Sequence, residues 1–141
     1  GHVAGNELNG TTTAFNLEMG QMVSKQKDSI GAVLSRRDGL LADDAFKLVG
    51  FKPCRNSDQL PAGSHLMTGG SPIDAVHDQG YVTSACYSPT LGHHIAIGFL
   101  KSGDQRLGEV IRLVSPLTNI EHDVEVVSAH FVDPDGDKLR A

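Results

Sequence analysis

Seven histidines are the residues of this 141-residue chain best suited to bind a metal, and two of them are adjacent. A zinc site needs three or four ligands that converge on one ion, often from close pairs. His93 and His94 lie in a stretch with the pattern of a β-strand, where successive side chains point to opposite faces. They cannot easily share an ion, so we predict no metal site and interpret these histidines as polar residues at strand ends.

The sequence "DPDGD" at residues 133–137 resembles the opening of a calcium-binding loop. Such a loop needs a glycine at its sixth position, because the chain turns sharply there. Lys138 occupies that position. Proline and glycine between aspartates are strong turn formers, so we predict a turn.

Nucleophilic catalysis has little support in this sequence. Ser88 precedes Pro89, and no glycines frame it as the strained turn that exposes a catalytic serine. Cys86 lies among apolar neighbours of a predicted strand, where a thiol usually serves packing. Cys54 and Cys86 lack the spacing of a metal site, and the simplest interpretation is two reduced thiols in a cytosolic protein. We find no glycine-rich nucleotide-binding motif and predict no catalytic residue in this segment.

The composition excludes two classes of partner. The formal net charge is −5, which gives no electrostatic reason to expect nucleic acid. No apolar run approaches the roughly 20 residues that span a bilayer, so we predict no membrane segment. Sixteen glycines and six prolines in short clusters indicate many turns and hence mostly β structure.

One short helix precedes the β-rich part of the chain. Ile30, Val33 and Leu34 recur at helical spacing and share a face. Asp28 is a suitable N-cap, because its carboxylate can accept backbone N–H bonds. The pattern predicts a helix at residues 29–37.

From Phe46 to Val132, short apolar stretches alternate with turn residues and indicate six or seven strands. Strands at this spacing are typical of an antiparallel barrel or sandwich, and we predict a single closed sheet. In residues 93–100 one face is bulky and the other is mostly small. Ala96 and Gly98 on the small face allow close approach, so they are candidates for a docking face.

Five segments, in order along the chain, resemble the aminomethyltransferase family and, within it, the α subunit of heterotetrameric sarcosine oxidase. The segments are "GQMVSKQKDSIG" (residues 20–31), "KLVGF" (47–51), "LPAGSHL" (60–66), "GYVTSACYSPTLGHHIAIGFLKSG" (80–103) and "DPDGDKLRA" (133–141). The resemblance covers about residues 10–141. It departs at three positions: Gln21 replaces a tryptophan, Ser29 an aromatic residue, and His93 a lysine or arginine.

The resemblance implies a mainly β fold, an antiparallel β-barrel preceded by a short α-helical arm. It also implies two parts: residues 1–42 as the tail of a folate-binding domain with one helix, and residues 43–141 as the C-terminal barrel. Tetrahydrofolate would bind mainly in the domain upstream, and FAD, FMN and NAD would belong to the whole oxidase complex. No cofactor is expected in this segment alone.

The "SPTLG" turn (residues 88–92) has two interpretations that the sequence leaves open. As a barrel corner, it uses the fixed φ of Pro89 and the freedom of Gly92. As a contact to folate, the resemblance implies that side chains around the turn face the upstream domain and touch the ligand's polar tail. The folate-facing candidates are Tyr87, Ser88, His93 and His94.

The resemblance implies an enzyme: the C-terminal part of a sarcosine-oxidase-like α subunit, in folate-coupled oxidative demethylation of an N-methyl amino acid. The segment alone is expected to be inactive. The expected partners are the upstream folate-binding domain and the other oxidase subunits, in the cytoplasm. One alternative is the barrel of a glycine-cleavage aminomethyltransferase. The other is an assembly module that never touches substrate.

Overall fold

A computed structural model describes His2 and residues 4–141 of the chain. Six strands form the body of the protein. They are β1 (Phe46–Pro53), β2 (His65–Met67), β3 (Asp78–Ser88), β4 (His93–Lys101), β5 (Val110–Ser115) and β6 (Ile120–Val127). Two short helices flank them, α1 (Ile30–Leu34) and α2 (Asp137–Arg140).

The strands close into one antiparallel barrel in the order β1-β4-β3-β2-β5-β6, and β6 pairs back to β1. The predicted mainly β fold and closed antiparallel barrel are therefore confirmed. The sheet ends earlier than predicted, at Val127 instead of Val132. Residues 128–132 follow as an irregular segment.

Alternate side chains of every strand fill the barrel interior, as the two-residue period of a strand requires. Val49 and Phe51 of β1 meet Val124 and Val126 of β6 there, and all four are fully buried. Leu60, from the β1–β2 loop, also belongs to this core, so the loop folds over one end of the barrel.

The small face of β4 is the inner face, which corrects the proposal that Ala96 and Gly98 form a docking surface. Ala96 is buried in the barrel core. A Cβ on Gly98 would collide with the Tyr81 carbonyl and the Val82 Cα of β3. A narrow six-stranded barrel accepts only small side chains where strands crowd, so these residues serve closure of the barrel.

The bulky outer face of the same strand is covered by the arm, residues 4–45. Leu17 of the arm packs with Leu48 and Phe99 on the outside of the barrel wall. The buried Asn16 fixes this contact, because its Nδ2 donates to the Phe46 carbonyl at 2.8 Å and its own carbonyl accepts from the Leu48 N–H at 2.7 Å.

The helices are shorter than the sequence pattern suggests. α1 covers only five residues of the predicted 29–37, and its N-cap is Ser29, whose hydroxyl accepts from the Ala32 N–H, instead of Asp28. "DPDGD" forms the predicted turn, and the Asp133 carboxylate accepts backbone N–H bonds at the start of α2. Within the described residues, no helix has the length and apolar character that crossing a bilayer requires.

Candidate functional site

The "SPTLG" turn joins β3 to β4 as the tip of a long hairpin at one end of the barrel. Gly92 adopts a left-handed φ of 73°, which favours glycine, and its N–H donates to the Ser88 carbonyl at 2.8 Å. The Leu91 N–H donates to the Ser88 hydroxyl at 3.3 Å. These contacts support the interpretation of the turn as a barrel corner, in which Ser88 holds the bend.

Tyr87 and His94 lie directly opposite each other near this tip. Their ring centroids are 5.6 Å apart with an interplanar angle of 69°, an edge-to-face contact. Tyr87 and His94 lie on the same face of the hairpin as the Ala85–Ala96 pair, because side chains two residues apart in a strand point the same way. Ala85 and Ala96 pack in the barrel core, so Tyr87 and His94 extend this inner face beyond the barrel mouth. Tyr87 is 54% exposed, whereas the Nδ1 atom of His94 is buried and has no hydrogen-bond partner among the described residues.

Ser88 and His93 form the next pair and lie on the opposite face of the hairpin. The His93 Nδ1 donates to the His94 carbonyl at 2.7 Å, so this imidazole is tied to the strand itself. The four residues singled out from the sequence therefore do not converge. The structure brings Tyr87 and His94 together on one face of the hairpin. On the other face, polar atoms of Ser88 and His93 form hydrogen bonds to the hairpin backbone.

Five cavities with volumes of about 320–480 Å³ are all bordered by residues of the arm, and none of the five is lined by Tyr87, Ser88, His93 or His94. One of about 370 Å³ lies between the arm and the barrel wall, lined partly by Gln21, Leu48 and Ile97. The weakly patterned arm gave the sequence analysis no signal for these cavities.

A buried carboxylate in the β1–β2 loop is a second feature that the sequence analysis missed. Asp58 accepts from the Nε of Arg55 at 3.2 Å, and the Nδ1 of His122 lies 3.5 Å from the same carboxylate oxygen. The three-residue spacing of Arg55 and Asp58 within a polar loop was the available signal. This cluster ties the loop to the start of β6.

Both cysteines are free and exposed. This corrects the expectation that Cys86 is buried packing: it lies on the outer face of β3, opposite Ile95. Although Cys54 is an exposed residue, partial burial of its thiol, followed by the negative charges of Asp123 and Glu125, raises the pKa of that thiol. A thiol with a raised pKa is a poor nucleophile at neutral pH.

The remaining histidine contacts are pairs with single carboxylates. The His65 Nδ1 lies 2.8 Å from Asp78, and the His77 Nδ1 lies 2.6 Å from Asp74. The hydrogen bonds from His77 hold the pKa of the Asp74 carboxyl below its ordinary value. Among the residues that the structure describes, no three histidine, cysteine or acidic side chains are placed to share a metal ion.

The hairpin therefore offers binding groups: an exposed phenol ring in edge-to-face contact with an imidazole. An exposed aromatic ring can stack on a planar ligand, and its hydroxyl can donate a hydrogen bond. Neither Tyr87 nor His94 lines any of the five cavities described.

Comparison with known proteins identifies relatives of both parts of the chain. The model of the glycine cleavage T-protein C-terminal barrel domain matches residues 47–133. The sarcosine oxidase subunit alpha of Rhizobium meliloti is 36% identical over 140 residues, or 99% of this chain. The corresponding subunit of Corynebacterium sp. (strain U-96) is 31% identical and covers 96% of the chain. This chain spans only 14% of the length of each of these two relatives.

A solved structure shares the fold. The glycine cleavage system aminomethyltransferase T from Bartonella henselae superposes with a TM-score of 0.63 at 20% sequence identity. The match covers 91% of this chain and 34% of that protein.

Proposed function

The chain belongs to the glycine cleavage T-protein C-terminal barrel domain family, and on that premise we propose that it is the C-terminal part of a sarcosine-oxidase-like α subunit. One observation carries the proposal. The sarcosine oxidase relatives align over 96–99% of the chain, and so include the arm that lies outside the family match at residues 47–133. The full subunit would then be an oxidoreductase acting on an N-methyl amino acid.

In this proposal the one-carbon unit released by amine oxidation passes to tetrahydrofolate held mainly by a domain upstream of the barrel. Tyr87 and His94 would close one side of that site, because their aromatic pair projects beyond the barrel mouth. Ser88 and His93 would act indirectly by fixing the bend of the hairpin. The pair is suited to stacking on a planar ring of the ligand and to donating one hydrogen bond.

The cofactors and partners follow from the same proposal. FAD, FMN and NAD would be bound by other parts of the oxidase complex, and the barrel would contact the upstream folate-binding domain of its own chain and the other oxidase subunits. We place the complex in the cytoplasm, which agrees with two exposed free thiols.

The test is an assay of the full-length subunit assembled with its partners. With sarcosine as substrate and no tetrahydrofolate, we expect glycine and formaldehyde as products. With tetrahydrofolate present, we expect methylenetetrahydrofolate to replace the formaldehyde. An assembled complex that oxidises none of sarcosine, dimethylglycine and related N-methyl amines would contradict the proposal.

The second candidate is the barrel of a glycine-cleavage aminomethyltransferase. Two observations favour it: the family match and the shared fold of the Bartonella henselae aminomethyltransferase. The full-length protein would then transfer an aminomethyl carbon to tetrahydrofolate without net oxidation of the amine. The same assay separates the two, because only the oxidase consumes an electron acceptor.

The third candidate is an assembly module that does not touch substrate. Ala96 and Gly98 cannot form its docking face, since Ala96 lies in the barrel core and Gly98 lies against the backbone of β3. Folate affinity of the full-length protein that is unchanged after replacing Tyr87 and His94 would favour this module.

A further inference from the structure

The helix α1 presents an apolar face that the described part of the chain leaves largely exposed. We call Ile30, Val33 and Leu34 the α1 face. These side chains are 80%, 64% and 40% exposed. They border a groove of about 370 Å³ with Asp28 and Ser29. By contrast, Leu17 of the same arm is buried against the barrel.

α1 is too short to be stable without a partner. It has five residues, and helices shorter than about 12–15 residues are marginal in water on their own. The Ser29 cap satisfies only one of its free N–H groups. Most helical stability in proteins comes from packing of an apolar face, and here most of that face is exposed within the described chain.

Positive charges surround the α1 face. Residues 25–37 contain four basic residues and one acidic residue, in a chain whose net charge is −5. All four basic side chains are exposed: Lys25, Lys27, Arg36 and Arg37. A complementary surface would be an apolar patch bordered by aspartate or glutamate side chains.

The comparisons indicate where such a surface lies. The arm lies outside the barrel family match but is included in the alignment with the sarcosine oxidase relative, which continues far beyond this chain. The chain makes up 14% of their length. We propose that the α1 face docks onto an apolar, acid-bordered patch of the domain preceding the barrel in the full-length subunit. The identity of that domain rests on the proposed function.

The test compares two valine substitutions in the full-length subunit. Val33→Asp places a carboxylate in the α1 face, and Val76→Asp is the matched control at an 83% exposed valine of the β2–β3 loop. The readout is hydrogen exchange at the amides of Val33 and Ser35, which donate to the Ser29 and Gly31 carbonyls. We expect slow exchange in the wild type, at least about tenfold faster exchange in Val33→Asp and no change in Val76→Asp.

A charge reversal tests the acidic border independently. Lys25→Glu with Arg36→Glu should also speed exchange in α1, and the effect should shrink at high salt because exposed charges are screened. Lys138→Glu with Arg140→Glu, on the exposed α2, is the control and should leave α1 exchange unchanged.

Two results would overturn the proposal. One is equal α1 exchange in Val33→Asp and Val76→Asp. The other is α1 protection that appears only in a dimer on sedimentation, since a second copy would then cover the face. Neither readout needs folate or amine, so a subunit that oxidises no N-methyl amine can still confirm the docking, and an active oxidase can still refute it.

Discussion

At the scale of single residues, the candidate site is an aromatic pair with a supporting turn behind it. The ring centroids of Tyr87 and His94 lie 5.6 Å apart. Ser88 and His93 form hydrogen bonds to backbone groups within the hairpin. Because side chains alternate along a strand, neighbours in sequence separate onto two faces here. The roles of the four residues therefore differ although they lie within eight positions.

Tyr87→Ala in the full-length subunit should weaken tetrahydrofolate binding about tenfold, because an exposed aromatic contact is worth roughly 1 kcal/mol or more. Equilibrium fluorescence titration measures this affinity. Leu117→Ala is the control, since Leu117 is exposed at the tip of the β5–β6 hairpin at the same end of the barrel. Equal affinities in both variants would remove Tyr87 from the site.

At the scale of elements, the close approach of β3 and β4 sets the shape of the barrel. Gly80 and Gly98 allow it, because a Cβ at either position would collide with the backbone of the facing strand. The hairpin that carries Tyr87 and His94 is the continuation of this strand pair. Its direction is thus set by glycines in the barrel wall.

Gly98→Ala should lower the free energy of unfolding by about 3 kcal/mol, because the new methyl group forces the two strands apart. Gly69→Ala is the control, since that position faces open space and should change stability by less than about 0.5 kcal/mol. Urea denaturation of both variants measures the difference. A midpoint for Gly98→Ala equal to that of Gly69→Ala would show that the strands are not packed as described.

The turn between β4 and β5 carries a second testable contact. Arg106 donates two hydrogen bonds to the Glu109 carboxylate, at 2.7 Å and 2.8 Å, and these hold the pKa of Glu109 below its ordinary value of 4.5. A lowered pKa in the folded state stabilises the fold above pH 4.5, and this contribution disappears as pH falls through the folded-state pKa.

Glu109→Gln should therefore cost about 0.5–1 kcal/mol at neutral pH, as expected for a partly exposed pair, and almost nothing in strong acid. Urea denaturation at a series of pH values measures the difference in the free energy of unfolding between Glu109→Gln and the wild type. Asp104→Asn, in the same turn, removes the same charge without this pair and should show no such pH dependence. A difference in the free energy of unfolding that stays constant from neutral pH into acid would contradict the proposed contribution of the Arg106–Glu109 pair.

At the scale of the whole molecule, the arm and the barrel share one contact region on the outer wall. Asn16 connects them, because it bonds to backbone groups of β1 thirty residues away and its Oδ1 accepts from the Thr13 N–H at 2.9 Å. The α1 face lies on the same arm and is largely exposed. The arm therefore has one side fixed to the barrel and another available to a further domain.

Asn16→Ala should destabilise the chain by about 1–3 kcal/mol, because it removes the partners of the Phe46 carbonyl and the Thr13 N–H in a partly buried contact. Asn56→Ala is the control at an exposed loop position and should be nearly neutral. Thermal unfolding measures both. If Asn16→Ala changed the melting temperature as little as Asn56→Ala, the hydrogen bonds of Asn16 would not be what holds the arm on the barrel.

The sequence by itself determined the class of fold and the position of its corner. Alternation of apolar and polar residues between glycine- and proline-rich turns is a local property, and it predicted the antiparallel strands and the turn at Gly92. Helix length was predicted less well: α1 ends at Leu34, and its apolar side chains are 40–80% exposed, so little packing supports a longer helix in the described part of the chain.

Only the tertiary structure decided which strand face lies inside. Alternation defines two faces of β4 but does not say which face lies inside the barrel. Closure of a narrow barrel places the small residues Ala96 and Gly98 on the inner face. Ile97 and Phe99 then lie on the outer face, where the arm packs against them. The arm itself has weak local patterning, and its position depends on contacts such as Asn16 with Phe46, which are distant in sequence. Contacts of that kind form only when the whole chain folds, so no local pattern specifies them.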